Sequence, residues 1–272
     1  MTNIYAVTGH PVNHSLSPLI HNMLFEYYNL DCRYEKIDIL PENFEEETKT
    51  LFKSGVKGLN VTIPNKVAAL ESVDCVDPYA LSVRAVNTIR FDGVKTYGYN
   101  TDGVGFIKAL EKNNVSVKDK RILILGAGGA VNSVAKKTLM EGAGEVRILA
   151  RDVNKAKILA ERIGADYDSL SKYEEYDYDI LVNATPVGMS PKIGESVVSS
   201  VKKDTFVFDL IYNPSVTELM KIAHKYGARA ENGLWMLIYQ AFESFRIWHG
   251  IEPDETIAER IYKKAEEVLN EK

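Results

Sequence analysis

The sequence predicts an α/β protein of two domains, each built around a mostly parallel sheet. Three observations carry that expectation. At 272 residues the chain is long for a single α/β core and short for three domains. Short apolar runs alternate with stretches whose apolar residues recur at helical spacing, the mark of strand–helix units. The apolar run Arg121–Leu125 passes directly into Gly126, as a strand does when it feeds a glycine turn.

In order along the chain, residues 5–8 read as a buried strand. Residues 17–28 read as a helix with Leu19, Ile20, Met23, Leu24 and Tyr27 on one face, Ser17 as its cap and Pro18 in its first turn. A second strand over 33–39 precedes a helix opening at Pro41, and a third, 58–63, stops at Pro64. Residues 86–102 break the alternation, with two short strands around the turn Asp92-Gly93. A helix over 103–112 follows. After Arg121–Leu125 come a helix, a strand over Glu145–Ala150, a helix over 154–163 and strands at 179–182 and 205–209. A helix over 215–226, a short strand near 228–230, and helices over 234–248 and 255–267 complete the pattern. The acidic stretch 42–47 is a solvated helix start, where carboxylates also suit the dipole.

Composition narrows the function. Hydrophobic residues at 45% and charged residues at 26% supply an ordinary globular core. A net charge of -5 argues against nucleic acid or an anionic membrane as partner. Cys32 and Cys75 lack CxxC or Cys/His spacing, so no metal site or disulfide is expected, only reduced thiols in a cytoplasmic protein. The N-terminus lacks a signal-peptide pattern, and no apolar run approaches the ~20 residues that span a bilayer. Monomer and homodimer both remain open.

Gly126-Ala127-Gly128-Gly129-Ala130 lies between a strand and a helix. Bare backbone there lets a pyrophosphate approach, and the helix offers free N–H groups and its positive end. The domain is therefore Rossmann-like and dinucleotide-binding. The next strand ends Ala150-Arg151-Asp152, with Lys155 beyond. An Arg or Lys at this place pairs with the 2′-phosphate of NADP, whereas a carboxylate would bind the ribose of NAD. Arg151 favours NADP, with Asp152 a helix cap; NAD stays possible through that same Asp152.

Polar clusters occur at 14–18, 60–66, 85–88 and 100–103, mostly where strands end. Hydroxyls, amides and a Lys–Asp pair suit a ligand rich in hydroxyl groups. The motifs are Ser15-Leu16-Ser17-Pro18, Asn60-Val61-Thr62-Ile63-Pro64-Asn65-Lys66, Ala85-Val86-Asn87-Thr88 and Asn100-Thr101-Asp102-Gly103. The glycine turn, Asn183-Ala184-Thr185-Pro186-Val187-Gly188-Met189 and the 233–241 segment complete the series. In this order they resemble the shikimate dehydrogenase family over essentially the whole chain. Asn65 stands where many members carry phenylalanine, and Ala150-Arg151-Asp152 replaces the usual Asn-Arg-Thr.

The resemblance implies Lys66 and Asp102 as the catalytic pair. It implies Ser15, Ser17, Asn60, Thr62, Asn87 and Gln240 as ligands of the substrate's carboxylate and hydroxyls, with Tyr212 nearby. Asn183, Ala184 and Thr185 would line the cofactor, and Gly233 and Met236 its nicotinamide end. Residues 1–102, completed by 236–272, then form the substrate domain, with the last helices packed back upon it. Residues 103–235 form the NADP domain. The implied reaction is NADPH-dependent, reversible reduction of 3-dehydroshikimate to shikimate in chorismate and aromatic amino-acid biosynthesis. Two alternatives are a quinate/shikimate dehydrogenase working with NAD and a non-catalytic shikimate-binding sensor. Without the motifs, Lys66 would be a surface lysine and Asp102 a cap. His10, His21, His224 and His249 have no partner visible in sequence. His14 borders the substrate loop without assigned chemistry, Trp235 and Trp248 read as packing, and the tyrosines at 167, 173, 176 and 178 have no account at this level.

Overall fold

The computed structural model describes residues 2–271. The chain divides into two compact units. One holds the chain up to Gly105 together with Leu237–Ala265; the other holds Phe106–Met236 and the residues from Glu266 onward.

The first unit carries a six-stranded sheet of β1 (Asn3–Gly9), β2 (Cys32–Asp38), β3 (Val56–Val61), β4 (Cys75–Val76), β5 (Thr88–Phe91) and β6 (Thr96–Tyr99), in the order β2-β1-β3-β5-β6-β4. β1 pairs in parallel with both β2 and β3. The crossovers are α1 (Ser17–Tyr27) and α2 (Phe44–Lys53), the latter entered through a 3-10 turn at Pro41–Asn43. The hairpin forms where Asp92-Gly93 places it, and Asp92 Oδ1 accepts the N–H groups of Val94 and Lys95. A tight hairpin can only join antiparallel strands. β6 therefore runs against β5; β5 itself pairs antiparallel with β3, and β4 returns in parallel with β6. Sequence reading missed β4 and the short helices α3 (Lys66–Ser72) and α4 (Pro78–Val83). They are too brief for periodicity to register.

Two expectations for α1 need correction. Its buried residues are Ser17, Ile20, His21, Leu24 and Phe25, so the inward face is turned from the one apolarity suggests. His21 goes inside because its ring stacks on Tyr34, with centroids 4.3 Å apart. Ser17 is not the cap: the helix starts at Ser17, and the Ser17 N–H donates to Ser15 Oγ at 3.2 Å.

Residues 237–265 take in most of α9 (Leu234–His249) and α10 (Glu255–Asn270). Phe245 and Trp248 of α9 pack with Tyr5 and Phe25, and Trp248 Nε1 donates to the Ile89 carbonyl at 3.0 Å. Side chains of this size contribute ~1.5–3 kcal/mol each when fully buried.

The second unit holds α5 (Asp102–Lys112) from Phe106 on, followed by β7 (Arg121–Leu125), α6 (Gly129–Met140), β8 (Glu145–Ala150), α7 (Val153–Ile163) and β9 (Asp166–Ser169). β10 (Ile180–Asn183), β11 (Phe206–Asp209), α8 (Glu218–Lys225) and β12 (Arg229–Glu231) follow. Its strands run β12-β11-β10-β7-β8-β9, every pairing parallel. Strand order reverses at β7, leaving a crevice beyond the ends of β7 and β10 where such sheets bind ligands. Helix α8 starts three residues later than periodicity placed it, because Thr217 caps it by accepting the Met220 N–H. Three of the unexplained tyrosines are structural. Tyr173 and Tyr178 are buried with their hydroxyls bonded to each other. Tyr176 donates to Asp168, and the Arg147 guanidinium lies over its ring.

Candidate active site

Lys66 opens α3 and Asp102 opens α5, so two helix starts deliver the pair. Lys66 Nζ lies 2.5 Å from Asp102 Oδ2, with the side chains only 17% and 10% exposed. A lysine left to itself would project into water. The other carboxylate oxygen, Oδ1, accepts Asn87 Nδ2 at 2.8 Å. Asn87 has no freedom to flip. Its Oδ1 takes the Thr101 backbone N–H at 2.8 Å, which can only donate, so its amide nitrogen must face Asp102. Asn100 Oδ1 accepts the Asp102 N–H at 3.1 Å, which fixes the turn that aims the carboxylate.

Most of the residues that sequence assigns to the substrate gather in this unit. Asn60 is the penultimate residue of β3, buried, with Oδ1 accepting Tyr34 Oη–H at 2.6 Å. Gln240 lies on α9, and Thr101 Oγ1 reaches its Oε1 at 3.4 Å. Ser15 donates to Ser17 Oγ at 3.1 Å in the segment between β1 and α1. Thr62 follows β3, its N–H on the Thr8 carbonyl. His10 has a partner that sequence did not disclose: Nδ1 is 2.6 Å from Asp38 Oδ1, and Asp38 Oδ2 accepts the Val12 N–H. That carboxylate, held below its usual range by His10, anchors the loop leading to Ser15. Asn65 is buried and donates to the Ile39 carbonyl at 2.8 Å, tying the start of α3 to the end of β2. Tyr212 belongs to the second unit.

The second unit holds a cavity of about 850 Å³ lined by Gly126, Ala127, Gly128, Arg151, Lys155, Ala184 and Thr185, among others. Gly126 has φ +112°, and a Cβ there would lie 3.0 Å from the Ala184 carbonyl oxygen, so only glycine serves. Gly128 caps α6 without a side chain, which leaves the first-turn N–H groups of Gly129 and Ala130 for an anion. Bare amides, a helix N-terminus and two exposed cations fit the phosphates of a dinucleotide. Asp152 spends its carboxylate on α7, where Oδ1 accepts the Lys155 N–H at 3.1 Å.

Asn183 does not line the cavity; it is fully buried and holds the loop that does. Its Oδ1 accepts Thr185 N–H and Oγ1–H, and its Nδ2 reaches Asp209 at 2.9 Å. Burial pushes the Asp209 carboxyl up to about 6. Gly233 and Met236 also lie outside the cavity. The Gly233 N–H donates to the Ile211 carbonyl beside Tyr212, and a Cβ on Gly233 would come 2.2 Å from the Leu210 carbonyl oxygen. Sequence reading missed Lys192, Glu195 and Ser196 on the cavity wall. They belong to an irregular loop, and no periodicity signals that it folds back over the turn.

Three family models match the chain. They are described as the shikimate dehydrogenase substrate binding domain over residues 7–89, shikimate / quinate 5-dehydrogenase over 108–225, and the shikimate 5′-dehydrogenase C-terminal domain over 233–261. A shikimate dehydrogenase (NADP(+)) from Methanobrevibacter smithii is 41% identical over 275 residues, covering 97% of each chain. The crystal structure of shikimate 5-dehydrogenase from Thermus thermophilus, in complex with NADP(H) and shikimate, aligns with a TM-score of 0.90. Its identity is 35%, over 97% of this chain and 99% of that one. The enzyme from Listeria monocytogenes, in complex with shikimate and NAD, aligns with a TM-score of 0.89 at 30% identity, over 96% of each chain.

Proposed function

The chain belongs to the shikimate dehydrogenase family, and on that premise we propose that it reduces 3-dehydroshikimate reversibly to shikimate with NADPH, Lys66 and Asp102 forming the catalytic pair. The observation that carries this reading is the Lys66–Asp102 ion pair, set among Asn60, Asn87 and Gln240.

Bound at the glycine turn, NADPH supplies the hydride to the ring carbonyl carbon. Lys66 does the complementary work. As negative charge grows on the carbonyl oxygen, its ammonium stabilises that charge and donates the proton, completing the hydroxyl. Asp102 aims the lysine, and Asn87 holds the carboxylate by its second oxygen. Ser15, Ser17, Asn60, Thr62, Asn87, Tyr212 and Gln240 bind the carboxylate and hydroxyls of the substrate. In the other unit, the amides of 126–130 bind the pyrophosphate, Ala184 and Thr185 line the cofactor on a loop fixed by Asn183, and Gly233 and Met236 serve its nicotinamide end. Arg151 and Lys155 take the 2′-phosphate, since Asp152 is engaged as the cap of α7. The first unit is thus the substrate domain and the second the NADP domain. Free Cys32 and Cys75 suit the reducing cytoplasm.

The test is an absorbance assay at the nicotinamide band, offering shikimate and quinate each with NADP and with NAD. The reading expects fast turnover of shikimate with NADP. Equal turnover of quinate or use of NAD would move the enzyme to the quinate/shikimate branch, and no turnover of either would overturn it.

A further inference from the structure

We propose that Ser244 is a positioning residue of the active site, fixing the side chains of Asn60 and Asn87 and, through Asn87, the carboxylate of Asp102. This rests on Lys66 and Asp102 being the reacting pair.

Ser244 lies one helical turn after Gln240 on α9 and is fully buried, so it touches no ligand itself. A buried helical serine needs one partner, and usually finds it in the carbonyl four residues back. Ser244 has that bond, to the Gln240 carbonyl at 3.0 Å. Its one hydrogen is shared between that carbonyl and Thr88, whose own hydroxyl hydrogen is on Asn87, and its oxygen lies within reach of donors from two other segments. Asn60 Nδ2 donates to Ser244 Oγ at 2.9 Å, Thr88 Oγ1 lies 2.8 Å away, and Thr101 Oγ1 3.4 Å away.

These contacts sit at a junction of orientation. Asn60 Nδ2 also reaches the Asn87 carbonyl at 3.3 Å and Thr88 Oγ1 at 3.1 Å, and with Ser244 these acceptors turn Oδ1 to the Tyr34 hydroxyl. Thr88 Oγ1 donates to Asn87 Oδ1 at 3.0 Å, on the side of that amide opposite Asp102. An oriented chain of hydrogen bonds thus runs from Tyr34 through Asn60, Thr88 and Asn87 to Asp102, and Ser244 closes it against α9. Removing the hydroxyl takes an acceptor from Asn60 and a partner from both Thr88 and Thr101. In a dry interior such groups rearrange to recover bonds, and the Asn87–Asp102 geometry moves with them.

The experiment compares Ser244→Ala with Thr48→Val. Thr48 is a buried hydroxyl of the same unit whose bonds run only to the backbone of its own helix. Melting temperature and steady-state kinetics with shikimate and NADP are measured for both. Ser244→Ala should lower kcat by about tenfold or more, as misplacement of a reacting group does. The KM for NADP should stay within about twofold, since the cofactor cavity belongs to the other unit. Thr48→Val should lose comparable thermal stability and keep its kcat. Ser244→Gly, which leaves room for a water in place of the hydroxyl, should recover part of the lost kcat. If Ser244→Ala does not fold, Ser244→Cys, near in size but a poor hydrogen-bonding partner, carries the same expectation. A normal kcat in the alanine (or cysteine) variant, or an equal loss in Thr48→Val, overturns the proposal. An inactive parent enzyme would instead sink the functional reading on which it rests.

Discussion

The ammonium of Lys66 and the carboxylate of Asp102 meet at 2.5 Å, and Asn87 occupies the carboxylate oxygen that Lys66 leaves. A pair so enclosed has one geometry available to it, as a proton donor needs. Lys66→Ala should therefore lower kcat at least about a hundredfold, the range for loss of a general acid, with the affinity for NADP nearly unchanged. Asp102→Asn should be damaging as well, because Asn87 Nδ2 would then meet either an amide N–H₂ or a weaker neutral acceptor. Kinetics with shikimate, together with NADPH fluorescence titration, would check both. A Lys66→Ala enzyme that retained most of its kcat would remove the lysine from its role.

Cofactor choice should follow Arg151 and not Asp152. Arg151→Ala should reduce kcat/KM for NADP about tenfold or more while changing the NAD value little, since only NADP offers a phosphate to the guanidinium. Asp152→Ala should instead cost stability, about 1 kcal/mol for the lost cap on α7, with the NADP-to-NAD ratio kept. A large change in that ratio for Asp152→Ala would show the carboxylate facing the ribose after all.

What sequence could and could not disclose follows from range. Arg121–Leu125 matches β7 end to end, and the cap at Asp152 was readable, because both are settled by neighbours a few residues away. The motif residues Lys66, Asn87 and Asp102 could be named, but not the bonds that join them. His10 finds Asp38 across 28 positions, and Asn60 finds Ser244 across 184. No local pattern marks such partners. The inward turn of His21 was hidden for the same reason: a histidine reads as polar until a stacking partner such as Tyr34 is known. The loop carrying Lys192 was hidden because irregular backbone has no period to detect.

Gly126 gives a backbone test. Gly126→Ala would place a methyl 3.0 Å from the Ala184 carbonyl oxygen and 3.1 Å from Thr185 Cγ2, at φ +112°. The loop must then shift or the turn open, and the expected cost is about 1–3 kcal/mol. Binding of NADP should weaken more than that of shikimate, a difference calorimetric titration of each ligand would register. Equal weakening of the two would mean that the change is not local to the turn.

Two buried groups should shape stability against pH in opposite senses. Neither nitrogen of His21 has a hydrogen-bond partner of good geometry. Burial outweighs the nearby Asn60 and lowers its pKa to about 3. Below its unfolded value near 6.5 the unfolded chain takes up a proton that the fold refuses. The stability associated with neutral His21 is therefore complete above pH ~6.5 and is lost as pH falls toward 3. Asp209 works the other way. Raised to about 6 by burial, it binds its proton more tightly in the fold, so its contribution is complete below the unfolded value and is lost as pH rises through about 6. Between about pH 4 and 6 the two slopes oppose each other, each at most ~1.4 kcal/mol per pH unit. Asp209→Asn keeps acceptors for Ile211 and Asn183 but cannot titrate, and should make acid destabilisation steeper in that window. His21→Met should make it shallower. Urea midpoints from pH 4 to 7 measure both, and parallel curves for the two variants and the parent would show that neither group titrates as its burial requires.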